Sequence, residues 1–220
     1  MDKDRLTTID LFKTPIYTIE KPKWVNKVNK ACDKYIKESY ARDNKGKKDF
    51  GHSYHSGPLT GDKNLKELQD YIGATTHNLL NEWGCDLEQY KVYFTEFWVQ
   101  EFSEKGGGHH STHAHWNQHV SGFYFLKSSD KTSFPIFHDP RPGSVMTKLP
   151  LKNQEQISMG TSQVHYKPKP GTMIIFPGYV PHEYAVDPGL EPFRFIHWNI
   201  KVVETAISKE RSANNELPKK

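Results

Sequence analysis

The sequence is poor in cysteine, with only Cys32 and Cys85 in 220 residues, and neither has a second cysteine at metal-binding spacing. A disulfide framework and a cysteine-ligated zinc site are both excluded on that count. Long apolar runs are also missing. No stretch approaches the roughly eighteen residues that a bilayer span needs, and the opening MDKDRLTTID lacks the apolar segment of a signal peptide. A cytoplasmic location is the resulting expectation, in a host cytoplasm if the chain is phage-encoded, and no membrane partner is expected. Charge of one sign is lacking too: 30 basic and 26 acidic residues leave a formal +4, distributed over mixed-sign segments. That balance gives no footing for a nucleic-acid partner. What the chain does have is rings. Aromatic residues make up 13% and there are twelve histidines, so a core weighted toward pleated, half-buried strands is available.

The length suits one domain. After a short extended piece, DLFKTPIYTI, apolar residues recur at three and four through Val25, Val28, Cys32, Tyr35 and Ile36, which describes one face of a helix. A second helical pattern runs through Leu65, Leu68, Ile72, Leu79 and Trp83, with Gly84 as a stop signal. The Gly-, His-, Lys- and Ser-rich segment from Arg42 to Asp62 reads as a surface loop, with a lid as the sharper alternative. Beyond Tyr90 the texture becomes β-type: KVYFTEFWVQEF, HVSGFYFL, SFPIFHD, QVHYKP, GTMIIFP and FRFIHWNIKV, punctuated by Gly, Pro, Asn and Asp. Closely spaced short strands predict a mainly β fold, an antiparallel sandwich or barrel with the two helices packed outside it. We therefore expect a strand and helical support region over 1–88, a β core over 89–207 and a polar tail over 208–220. No internal repeat is visible, and a homodimer is compatible with the exposed sheet edges such a fold leaves.

Five histidines fall between His109 and His119. Residues two apart on a strand share a face, so His113 and His115 aim together. Two imidazoles hold a transition metal only if a third ligand arrives from elsewhere. His182 is the candidate, since GTMIIFPGYVPHEY carries a hydrophobic strand through a Pro/Gly turn to that histidine. An HxH pair alone is equally the mark of a solvated loop or of core histidines, and the GGGHHS context argues against His109 and His110 as ligands. Arg194, twelve residues after His182 in FRFIHWNI, needs an anion, because an unpaired buried charge is very costly. A dicarboxylate cosubstrate would serve, and so would an internal ion pair with Asp139 or Glu183.

These blocks together resemble the 2-oxoglutarate and Fe(II)-dependent oxygenases, in particular a bacterial and phage group with an HxHxN…SG(V/F)YYL pattern. The matching text is HAHWNQHVSGFYFL, followed in order by PIFHDPRP, PGTMIIFPGYVPH and an Arg-containing strand that closes in WNI. The resemblance implies a double-stranded β-helix, or jelly roll. It implies Fe(II) held by His113, His115 and His182, with 2-oxoglutarate and O2 as cosubstrates, and Arg194 paired with the distal carboxylate. Asn117, Ser121, Phe125 and Trp198 become candidate cosubstrate neighbours. The implied reaction is hydroxylation of a small-molecule or peptide substrate with release of succinate and CO2.

Three departures stand out. Most of the superfamily has a carboxylate where His115 stands, which leaves Asp139 as the alternative ligand. Phe125 replaces a tyrosine common among relatives. Arg194 lies five residues before Asn199, where six is expected. Two rival readings share the architecture. A cupin would explain His113, His115 and the spacing of Gly171, Pro177 and His182, but not the SGFYFL and DPR blocks. A non-catalytic jelly-roll binding protein has no need of converging histidines. An aromatic-lined mouth built from Trp98, Trp116, Tyr179 and Trp198 would suit a prolyl peptide, a free amino acid or a small metabolite.

Overall fold

The structure is a computed structural model, and it describes residues 11–43, 49–141 and 149–205. In chain order the elements are β1 (Tyr17–Glu20), α1 (Val25–Asp43), β2 (Ser53–His55), α2 (Lys66–Glu82), β3 (Tyr90–Phe102), β4 (His110–His113), β5 (Val120–Lys127), β6 (Pro135–His138), β7 (Gln163–His165), β8 (Thr172–Pro177), β9 (His182–Tyr184) and β10 (Arg194–Glu204). Both helices form where the apolar spacing predicts them. The buried positions of α1 are Val28, Cys32, Ile36 and Ser39, spaced by four, four and three along one face. At the end of α2 the Gly84 amide donates to the Asn81 carbonyl and the Cys85 amide to the Leu80 carbonyl, which satisfies carbonyls that the helix itself leaves open.

The strands form two antiparallel sheets. The larger has the order β1-β8-β5-β10-β3-β2 and the smaller β4-β9-β6-β7. From β3 onward the chain passes back and forth between the sheets, which is the winding of a jelly roll. Alternation along each strand assigns the two faces of the large sheet. Phe97, Val99, Tyr124, Met173, Ile175, Ile196 and Trp198 face the helices and form one core with Val28, Cys32, Leu68 and Ile72. Phe102, Phe123, Phe125, Ile174, Phe176 and Phe195 face the small sheet and form a second core with Phe137, Tyr184 and Phe193. Burying each such side chain contributes about 1.5–3 kcal/mol.

One expectation needs amending. The segment from Arg42 to Asp62 is not wholly loop, since Ser53–His55 pairs with Gln100–Phe102 as the edge strand β2. Tyr54 is fully buried there, stacked on Tyr40 at 3.5 Å. The polar tail expected over 208–220 lies outside the described residues.

Candidate metal centre

Three chain segments bring the site together. His113 is the last residue of β4, and its register partner is His182, the first residue of β9. His115 lies just beyond the strand, where its amide donates to the Gly178 carbonyl at 2.9 Å. Gly178 is needed at that point, because a Cβ there would lie 2.6 Å from the Gln118 carbonyl oxygen. The close approach of the two loops thus depends on the glycine of the PGYVPH turn, and it brings His115 to the His113–His182 pair. Their centroids are 4.5 Å apart for His113 and His182, and 5.1 Å for His115 with either. One ligand nitrogen from each lies within 4.8 Å of the others.

The hydrogen bonds set the tautomers. His113 Nδ1 lies 2.7 Å from the Ser111 carbonyl and His182 Nδ1 lies 3.0 Å from the Val180 carbonyl, so both Nδ1 atoms carry hydrogen and both Nε2 atoms are left as ligands. His115 differs. Its Nε2 is buried without a hydrogen-bond partner, as suits a metal ligand, while its Nδ1 lies 2.9 Å from Asn199 Nδ2. That amide also donates to Glu96 at 2.8 Å, and its oxygen accepts from Ser121 Oγ at 2.5 Å. Ligation through His115 Nε2 requires hydrogen on Nδ1, and so calls for the opposite orientation of the Asn199 amide. Burial holds the pKa of His182 down at about 2 and that of His115 at about 3, with neighbouring imidazoles pushing the same way. Both rings are therefore neutral, the state a metal needs.

A second group of donors adjoins the first. Glu96, His115 and His197 also bring ligand atoms within 4.8 Å of one another. His197 is 1% exposed, its Nε2 is 3.4 Å from Glu96, and its ring is 4.9 Å from that of His115. Its charge partner Glu96 is held down at about 2 by the His197 contact. Sequence reasoning passed over His197 and Glu96. The signal was present as alternation: Phe195, His197 and Asn199 share one face of β10, and Asn199 is the register partner of Glu96.

The other candidates lie as follows. Ser121 is buried and reaches the site only through Asn199. Phe125 belongs to the inner aromatic core, with its ring 6.1 Å from that of Phe123. Asn117 adopts a positive φ of 62° in the exposed turn after His115. Trp198 is placed otherwise than expected: it is fully buried on the helix side of the sheet, in the core with Ile72, so it lines neither the cosubstrate side nor the mouth. Asp139 is in neither donor group; Arg141 binds it through Nε at 3.0 Å and Nη2 at 2.7 Å. Arg194 turns away from the histidines. Its Nε donates to Glu101 at 2.6 Å and its Nη1 donates to Asp33 of α1 at 2.7 Å and to Asn29 at 3.2 Å. The anion it needs is supplied internally, by residues other than Asp139 and Glu183. The odd spacing to Asn199 is the reason, since positions five apart on a strand face opposite ways.

Residues 96–190 match the family model described as "Putative 2OG-Fe(II) oxygenase". Over that stretch, less than half of its length, the chain is similar to the 2OG-Fe(II) oxygenases. The matched stretch contains the three histidines and ends before Arg194. No curated protein sequence matches the chain. Among solved structures it is similar to a prolyl-4-hydroxylase of Pseudomonas putida, with a TM-score of 0.55 and 12% identity over 84% of this chain and 92% of the other. It is also similar to the α-ketoglutarate-dependent epimerase SnoN from nogalamycin biosynthesis, with a TM-score of 0.59 and 10% identity over 86% and 79%. A third likeness is to a prolyl hydroxylase from Trichoplax adhaerens solved with a hypoxia inducible factor peptide, at 0.52 and 12% over 91% and 87%. At such identities the likeness is one of fold, the double-stranded β-helix. The cofactors that follow from the family are Fe(II), 2-oxoglutarate and O2. The histidine set, with its partnerless buried nitrogen on His115, fits the metal.

Proposed function

We propose that this oxygenase hydroxylates a C–H bond of a prolyl peptide or an amino acid, converting 2-oxoglutarate and O2 to succinate and CO2. The observation that carries this reading is the convergence of His113, His115 and His182 between the two sheets of a jelly roll. Bound Fe(II) would supply the oxygen activation, with three protein ligands leaving coordination positions for cosubstrate and oxygen.

The chain's own residues do the rest. The Ser111 and Val180 carbonyls fix the faces that His113 and His182 present. Asn199, held by Ser121, orients His115. The inner phenylalanines keep water from the back of the site, which protects reactive chemistry from side reactions. At the mouth, Trp116 is 88% exposed and Tyr179 55%, and both sit one residue from a segment that seats a histidine. Such rings offer flat apolar faces to a prolyl or similar side chain.

The test is anaerobic addition of Fe(II) and 2-oxoglutarate, read by the visible charge-transfer band of the chelate, then admission of air and assay for succinate. Band and succinate together are expected. His182→Ala should remove iron retention and the band. A wild-type protein that holds iron but gives neither signal would favour the cupin reading, whose HxH and later histidine occupy the same positions.

A further inference from the structure

We propose that this site anchors its dicarboxylate cosubstrate without an arginine, the distal carboxylate resting on the neutral groups Tyr184 Oη, the Gln100 amide and His110. The proposal rests on the reading of the centre as an iron and 2-oxoglutarate site, and concerns which residues of this chain complete it.

The first observation is negative. Arg194 is 4% exposed, paired with Glu101 and Asp33 and bonded to Asn29, and on the helix side of the sheet. Position 193, six before Asn199 and on the inner face, is Phe193, which packs against Phe195 and Tyr184 at 5.5 and 5.6 Å. Among the described residues the buried inward positions of β10 are Phe195, His197 and Asn199, none of them lysine or arginine, and Lys201, the next on that face, is half-buried on the far side of Asn199 from Phe195.

The second observation is a set of polar atoms inside the aromatic core with nothing to bind. Tyr184 is 2% exposed and its hydroxyl has no hydrogen-bond partner; Gln100 is 2% exposed and its Oε1 has none. Leaving such groups unpaired costs about 1–3 kcal/mol each, so a buried hydroxyl among phenylalanines points to a ligand. These atoms share one neighbourhood. Tyr184 stacks on Phe195 at 4.6 Å, Gln100 is the register partner of Phe195, and His110 lies 5.5 Å from the Tyr184 ring with its Nε2 2.8 Å from Gln100 Nε2. If the Gln100 amide is turned over, its oxygen accepts from His110 and its NH2 becomes the free donor. The group also lies at the right depth. Tyr184 is two residues along β9 from His182, hence on the same face one step further in, and His110 is 6.0 Å from His113.

The third argument is charge. A carboxylate ligand on Fe(II) and an arginine at the distal end leave a two-plus site that a dianion neutralises. Three neutral histidines and no arginine leave the same two-plus site, so the two departures compensate. The remaining acid at the site, Glu96, is 46% exposed and screened by water at the mouth.

The experiment is anaerobic titration of the Fe(II)-loaded protein with 2-oxoglutarate, and separately with 2-oxopentanoate, which lacks the distal carboxylate, reading Kd from the charge-transfer band. Tyr184→Phe removes a hydroxyl with no protein partner and leaves the core packing intact. It should weaken 2-oxoglutarate about tenfold, the equivalent of one hydrogen bond to a charged group, and leave 2-oxopentanoate unchanged; Gln100→Leu should act in the same direction. Arg194→Lys, which keeps a cation between Glu101 and Asp33, should leave both affinities within about twofold. A tenfold loss in Arg194→Lys with unchanged Tyr184→Phe and Gln100→Leu would overturn the assignment. A wild-type protein that shows no band with either ligand would overturn it together with the proposed function.

Discussion

Replacing Arg194 by methionine tests the placement of its side chain on the helix side of the sheet. The side chain is 4% exposed and bridges Glu101, 8% exposed, to Asp33, 51% exposed. Its removal releases Asp33 to water at little cost, because half-exposed ion pairs contribute about 0–1 kcal/mol. Glu101 cannot escape in the same way. Removing one partner of a buried pair costs about 3–5 kcal/mol, but Lys127 Nζ remains 2.9 Å from the same Glu101 oxygen, which puts the expectation at the lower end, about 3 kcal/mol. The double variant Arg194→Met, Glu101→Leu removes both buried charges, and should recover most of the loss, since apolar replacement of a whole buried pair is often neutral. Urea denaturation of the metal-free protein measures both. For a chain of this size, about 3 kcal/mol lowers the midpoint by about 1–2 M. A single variant that costs less than about 1 kcal/mol, or a double variant no better than the single, would refute the buried-pair account.

Acid should destabilise the metal-free protein in a defined window. His110, His115 and His182 are held by burial at about 4, 3 and 2, below the value near 6.5 of an unfolded histidine. Between those values the unfolded chain binds more protons, so stability is present above pH 6.5 and falls as pH drops, by about 2 kcal/mol per histidine from pH 7 to 5; equal denaturation midpoints at the two values would contradict this. Asn199→Ala should weaken metal binding about 10–100-fold, as loss of a residue that orients a ligand does, and an unchanged Co(II) affinity would remove the role assigned to it. Gly122→Ala should lower stability by about 3 kcal/mol, because a Cβ there would lie 2.2 Å from the Trp198 ring and 2.6 Å from the Ile174 carbonyl oxygen; a thermal midpoint within a degree of wild type would contradict that crowding. Cys32 is fully buried with its thiol pushed up to about 12 by burial, while Cys85 is exposed. A thiol reagent should therefore titrate one cysteine in the folded protein and two in denaturant.

The parts of the fold that were legible in the sequence are those in which one physical rule acts alone. The stripe Val28, Cys32 and Ile36 faces the sheet because its period matches the helix, and Gly84 ends α2 as the stop signal indicates. The meeting of the three candidate histidines was legible for a related reason: HxH and the PGYVPH turn are local patterns, and one register pair, His113 with His182, joins them. Edge strand β2 was not legible, since Ser53–His55 sits in a polar stretch and gains its place only by pairing with the end of β3. Propensity carries little information where a strand is specified by its partner.

Arg194 shows how a single residue of spacing changes what a side chain can do. On a strand every step reverses the face, so an arginine five residues before an inward-facing asparagine points outward whatever its neighbours are. The aromatic texture of FRFIHWNI conceals this, because both faces of β10 are buried, one against the helices and one inside the jelly roll. Hydrophobicity therefore does not distinguish the faces, and only counting does. Counting from Asn199 puts Phe195 and His197 inside with Phe193, and puts Arg194 and Trp198 outside. The same count moves the imidazole of His197 to 4.9 Å from His115 and the guanidinium to the α1 joint. A charge that on the other face would have pointed toward the histidines instead fastens helix to sheet, and the proposed site would balance a dianion with the metal alone. In the proposed site that balance is available because the third ligand position is His115 rather than a carboxylate, which would tie the unusual ligand to the outward arginine.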